Sequence, residues 1–132
     1  MNNLIFKAET EWVNPNKFPD LSNYSEIAID LETKDPDLIK MGSGSIRNNG
    51  NVVGIAVAVK DWCAYYPIAH EGGGNMDRKQ VLKWFSDVLK TPASKIFHNA
   101  MYDICWIKQL GLEIKGRIID TMIVTSLLNE NR

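Results

Sequence analysis

Seven residues, Ile27-Ala28-Ile29-Asp30-Leu31-Glu32-Thr33, set two acids into a run that otherwise reads as an interior β-strand. Side chains of a strand alternate faces with a period of two, so Ile27, Ile29 and Leu31 share one face while Ala28, Asp30 and Glu32 share the other. Both carboxylates therefore point the same way. Burying one ionised carboxylate costs several kcal/mol, and a neighbour of like sign adds to that unless protons or cations compensate. A divalent cation would compensate. The plain alternative is accident, since an Asp-x-Glu triplet arises by chance in roughly one chain of this length in two or three. Taken alone, the triplet leaves both readings open.

The rest of the chain supplies a sheet for that strand. Glu26 to Leu31 is the first strand, and residues 33–50, rich in Gly, Ser, Asn and Asp, read as a long loop. "NVVGIAVAVK" and "WCAYYPI" form two β-rich runs separated by Lys60-Asp61, a hairpin, followed by a second loop, "AHEGGGNM". From Asp77 to Leu89 the apolar Val81, Leu82, Phe85, Val88 and Leu89 recur at helical spacing, with Asp77 as the cap. Pro92 ends that helix, "KIF" at 95–97 is a short strand, and "NAMYDICWIKQL" returns to helix, closed by Gly111. "RII" is a further extended piece, and Asp120 opens "TMIVTSLLNE" as a third helix. This order predicts an α/β layer fold with a mixed sheet and the acid-bearing strand at its centre.

Composition narrows the function. At 132 residues the chain fits one domain, and its 45% hydrophobic and 23% charged content is that of a soluble globular protein. No apolar run approaches the ~18 residues of a membrane span, and the N-terminus lacks a secretory pattern, so a cytoplasmic protein with no membrane partner is expected. Fifteen Lys plus Arg against sixteen Asp plus Glu leave no global positive field, so any phosphate binding must be local. Cys63 and Cys105 stand alone, without zinc spacing, and are expected to be buried free thiols.

A second constellation gives the acid pair a partner. In "KIFHNAMYD", Asn99 follows a strand and opens a helix, and Asp103 lies one turn on, on roughly the same face. Both sit at a strand's C-terminal end, where ligands of open α/β sheets tend to bind. Singly, Asn99 is a good helix cap and Asp103 a first-turn acid favoured by the helix dipole. An acid pair on a strand's polar face and an Asn-x-x-x-Asp opening a helix after a second strand, in this order and spacing, are far less probable by chance.

"IAIDLET" resembles the first motif, and "FHNAMYD" the second, of the DEDD 3′→5′ exonucleases. "IIDTMIVTSLLNENR" is similar to the following helix in the proofreading domain of phage and bacterial family A DNA polymerases, and "YYPIAHEGGGN" to the segment after their third strand. The resemblance spans about residues 26–132. It implies a ribonuclease-H-like fold and two divalent cations, Mg²⁺ or Mn²⁺, cutting the terminal phosphodiester of a single-stranded DNA 3′ end, with all-oxygen ligands suited to hard ions. By that resemblance Asp30 would bridge both ions, Glu32 would hold the ion generating the nucleophile, and Asp103 would hold the second through water. Thr33 and Asn99 would position the substrate strand.

The family also implies a third motif, Tyr-x-x-x-Asp or His-x-x-x-Asp, several dozen residues beyond the second. Tyr24 and Tyr102 have no Asp four residues on, and neither do His70 and His98. The expectation is thus a single domain over 1–132 that stops before that motif, is impaired alone, and works with a missing C-terminal segment or a polymerase domain in a bacterial or phage-infected cell. An inert nucleic-acid-binding or scaffold module of the same fold is the alternative.

Weaker signals fill in the cleft. Lys34, Lys40 and Arg47 in the long loop are phosphate-contact candidates, and Met41, Tyr65 or Tyr66 could touch an unstacked base. Gly72-Gly73-Gly74 lacks the residues of a phosphate loop and reads as a plain flexible loop. His70 and Glu71 read as surface residues of that loop, Asp120 as a helix cap, and Trp62, Trp84 and Trp106 as core.

Overall fold

The computed structural model describes residues 13–123 and Leu128. Five strands, β1 (Glu26–Lys34), β2 (Asn51–Val59), β3 (Trp62–Pro67), β4 (Ser94–Phe97) and β5 (Ile118–Asp120), form one sheet. Its spatial order is β3-β2-β1-β4-β5. The β1-β2 and β2-β3 pairs are antiparallel, whereas β4 runs parallel to β1 and to β5. Helices α1 (Leu38–Met41), α2 (Arg78–Lys90) and α3 (Ala100–Gln109) lie among the described residues. The acid-bearing strand is central, as its composition predicts.

Period-two alternation sorts β1. Ile27, Ile29 and Leu31 are buried, joined in the core by Val52, Ile55 and Val57 of β2 and Phe97 of β4. α2 contributes Val81, Trp84, Phe85, Val88 and Leu89, an apolar stripe at helical spacing. Asp77 caps it by accepting from the Lys79 N–H at 3.1 Å. Burying this stripe, rather than intrinsic propensity, is what holds a helix of thirteen residues in place. Trp84 packs tilted against Tyr66 with ring centroids 4.6 Å apart and donates its indole N–H to the Pro19 carbonyl. Tyr66 donates to the Lys17 carbonyl, so two aromatic hydrogen bonds fasten "NPNKFPD" to the domain.

α3 buries Ala100, Asp103, Trp106 and Ile107. It ends as expected: Gly111 takes φ +81°, and the Gly111 and Leu112 N–H groups return to the Lys108 and Ile107 carbonyls. Beneath it, Lys95 of β4 is fully buried, its ammonium donating to the carbonyls of Thr91 and Lys115. Burial lowers the pKa of that lysine.

The opposite face of the sheet carries Ala28, Ala56, Ala58 and Ile96, all half-buried, around a groove of 710 Å³ that also takes in Asp30, Cys63, Tyr65 and His98. Small side chains on β1 and β2 leave this surface low and open.

Four expectations need revision. The loop predicted from residue 33 begins later, because β1 continues through Thr33 and Lys34 past a bulge after Glu32, and α1 forms inside it. Cys63 is exposed on the open face and Cys105 half-buried, so neither thiol belongs to the core. The two acids of β1 are also exposed rather than buried, since they share the open face with alanines. Asn99 does not cap α3 with its side chain; its backbone is left-handed, φ +66°. Of the expected third helix, Thr121–Ile123 are helical and the rest of "TMIVTSLLNE" lies outside the described residues, apart from Leu128.

Candidate active site

Asp30 and Glu32 stand two residues apart on the open face of the central strand, opposite Ala56 and Gly54 of β2. Asp103 approaches from α3. It is 4% exposed, and its Oδ2 is buried with no hydrogen-bond partner among the described residues. Burial, then the charge of Asp30, pushes the Asp103 carboxyl up to about 7, with Asp120 adding a smaller like-charge effect and a hydrogen bond from the Leu31 backbone opposing it. Asp103 and Asp30 therefore feel each other across the C-terminal part of β1. A buried, unpartnered carboxylate oxygen beside a second carboxylate is the arrangement a cation relieves.

Among the described residues, no three His, Cys, Asp or Glu side chains gather closely enough to hold a metal ion. Glu32 has its own partner. Its Oε2 accepts from the Tyr65 hydroxyl at 3.4 Å. Burial, with the charge and hydrogen bond of Glu32, pushes the Tyr65 phenol up to about 12. The all-oxygen donors at Asp30 and Asp103, one of them orphaned, fit a hard divalent cation.

The remaining sequence candidates fall into different surroundings. The Thr33 hydroxyl meets the Tyr102 hydroxyl at 2.8 Å, and Tyr102 in turn donates to Asp35 at 2.9 Å, so Thr33 is held within a network joining β1, α3 and the start of the long loop. Lys34 pairs with Glu71 on the surface. Asn99 stands at the start of α3, and Met41 ends α1 exposed.

Asp120 caps a helix, but chiefly a different one from that expected. Its carboxylate accepts from the N–H groups of Asn99 and Ala100 at 3.0 and 2.9 Å, as well as from Met122 at 3.0 Å. These bonds lower its pKa, the Ala100 bond most. By closing the N-terminus of α3 from β5, Asp120 fixes the turn from which Asp103 projects. Spacing alone could not reveal this, because the partners lie twenty residues apart. Gly54 is also an addition, and the hairpin register, which aligns Tyr65 with Ala56 and Asp30, gives Tyr65 an acid partner where the sequence suggested only a base contact.

Fold and site together define a ribonuclease-H-like α/β domain with two acids on the open face of its central strand and a third, from α3, beside the first of them. Solved structures of Brucella melitensis NrnC share the architecture, with a TM-score of 0.57 and 20% identity over 86% of this chain and 48% of that one. A second NrnC structure, with bound Mg²⁺, aligns at TM-score 0.57 and 18% identity. A profile of the 3′-5′ exonuclease family, of DNA polymerase A type, matches residues 14–132. The chain belongs to that family. A DNA-directed DNA polymerase of Pseudomonas phage M6 is 34% identical over 117 residues, covering 85% of this chain and 18% of the polymerase. DNA polymerase DpoZ of Salmonella phage PMBT28 is 28% identical over 116 residues, 86% of this chain and 16% of that protein. DNA polymerase I of Chloroflexus aurantiacus is 26% identical over 84 residues. The chain thus spans less than a fifth of the polymerases it matches.

Proposed function

We propose that residues 1–132 belong to one 3′→5′ exonuclease domain that hydrolyses the 3′-terminal phosphodiester of single-stranded DNA, in proofreading beside a polymerase domain in a bacterial or phage-infected cell. The supporting observation is the buried, unpartnered Oδ2 of Asp103 set against Asp30, in a chain of the 3′-5′ exonuclease family. Asp30, Glu32 and Asp103 are the residues that would hold Mg²⁺ or Mn²⁺, two ions in all. When bound, such ions supply an activated water and offset charge on the leaving oxygen.

The chain's own residues do the rest. Asp103, unable to ionise cheaply in its pocket, presents an oxygen that favours a cation over a proton once one is offered. Asp120 keeps that oxygen aimed by capping α3. Thr33, Asn99, Lys34 and Met41 line the approach of the substrate strand, Lys34 as a phosphate partner and Met41 as an apolar contact for an unstacked base. No helix among the described residues is long and apolar enough to cross a membrane.

The test is release of mononucleotides from the 3′ end of a labelled single strand by the full gene product carrying these residues, with Mn²⁺ present. The wild type should shorten the strand and Asp30→Ala should not; identical behaviour of the two would sink the reading. A second reading, an inert nucleic-acid-binding or scaffold module, draws on the lack of a preassembled group of three metal-binding side chains among the described residues. Calorimetry separates them, because an inert module takes up no Mn²⁺ at millimolar concentration.

A further inference from the structure

Gly54, Tyr65 and His70 gather around Glu32 on the open face, three residues that the exonuclease reading leaves without a role. Register places it. Glu32 of β1 stands opposite Gly54 of β2, while Tyr65 of β3 stands one row along, opposite Ala56, which itself faces Asp30. The Tyr65 side chain leans diagonally across β2, and a Cβ on Gly54 would fall 1.7 Å from its hydroxyl oxygen. Glycine here makes a slot for the phenol rather than a turn, since its φ is not in the left-handed region.

The hydroxyl that fills the slot touches two groups. It donates to Glu32 Oε2 at 3.4 Å and meets His70 Nε2 at 2.5 Å. A phenol has one proton, so giving it to Glu32 makes the His70 Nε2–H the donor to Tyr65. His70 is fixed in turn: its backbone N–H donates to Asn75 Oδ1 at 2.8 Å, the Asn75 amide returns to its carbonyl at 2.9 Å, and its ring sits edge-on to Tyr65. The next residue, Glu71, pairs with Lys34 at the end of β1. The loop after β3 thus grips the acid strand on both sides of its bulge.

We propose that Tyr65 is a positioning residue for Glu32, oriented by His70 and admitted by Gly54, and that it holds the Glu32 carboxylate on the open face of the sheet, beside Gly54. An exposed glutamate otherwise samples many rotamers, and ordering it in advance spares that entropy when a ligand arrives. The metal role of Glu32 rests on the exonuclease reading; the Tyr65–Glu32 coupling does not.

Two arms test it. In the metal-free protein, the ¹³Cζ resonance of Tyr65 should move in Glu32→Gln and in His70→Ala, while His70→Gln, whose amide can donate in the same place, stays near wild type. A Tyr65 resonance indifferent to Glu32→Gln overturns the proposal whatever the chain's activity. In the full gene product, Tyr65→Phe keeps the ring but drops the hydroxyl, and should weaken Mn²⁺ binding and lower kcat about fivefold, with KM for the DNA strand unchanged and the rate recovered by added Mn²⁺. Gly54→Ala, which closes the slot, should give the same pattern. A raised KM with kcat and Mn²⁺ affinity intact would make Tyr65 a base contact and also overturn the proposal. Should Tyr65 respond to Glu32 while the wild type binds no Mn²⁺, the positioning stands and the exonuclease reading falls.

Discussion

Asp103→Asn should make the metal-free protein more stable at pH 8 while removing its activity. Asp103 is buried beside Asp30, with a carboxyl pushed up from 3.8 to about 7. For an acid with a raised folded-state pKa, the folded protein keeps a proton that the unfolded chain has released, so its stability falls as pH rises from about 4 to about 7. The gap between those values corresponds to about 4 kcal/mol. Relaxation and water entry soften such burial costs, making ~2 kcal/mol the working figure. Asparagine keeps the shape, cannot ionise, and can place an N–H donor beside the Asp30 carboxylate. The variant should therefore melt ~8 °C above wild type at pH 8 with chelator present, and the difference should vanish by pH 5, where Asp103 is protonated. Millimolar Mn²⁺ at pH 8 should then raise the wild-type melting temperature and leave the variant unmoved. Thermal unfolding followed by circular dichroism at the two pH values decides it. A variant no more stable than wild type at pH 8 would refute the claim that Asp103 sits ionised at a penalty which a cation relieves.

Asp120→Ala removes the acceptor for the Asn99 and Ala100 N–H groups and should lower stability by ~1–2 kcal/mol, read by urea denaturation. Lys95→Ala leaves the Thr91 and Lys115 carbonyls unpaired in the core and should lose ~2–4 kcal/mol in the same assay. With its ammonium pKa lowered by burial, Lys95 binds its proton less firmly in the folded state, so its contribution should grow as pH rises towards 10.5. Cys63, exposed on the open face, should react with a thiol reagent in the native protein faster than Cys105; equal rates would contradict the placement of the open face.

The strands and α2 were legible because burial and period agree in them. β1 alternates cleanly, and the apolar stripe of α2 repeats at 3.6 residues over its whole length. What escaped the sequence are features set by partners far along the chain. The left-handed Asn99 looked like an ordinary cap, yet the cap is Asp120 across the sheet. Cys63 was expected inside because cysteine packs as a small hydrophobe, but the hairpin register turns it to the open face opposite Ala58. The candidate site was half legible. Asp30, Glu32 and Asp103 were picked out by motif and spacing, whereas the environment of each is tertiary: Asp103 alone is desolvated, and Glu32 is turned to a tyrosine two strands away.

Anomalous diffraction from crystals of the full gene product soaked in Mn²⁺ and a short single-stranded DNA bears most directly on the exonuclease site. Mn²⁺ should lie between the carboxylates of Asp30 and Asp103, with Glu32 on the same ion or its neighbour and the strand's 3′ end against them. Peaks elsewhere, or none, with the three carboxylates still apart, would contradict it.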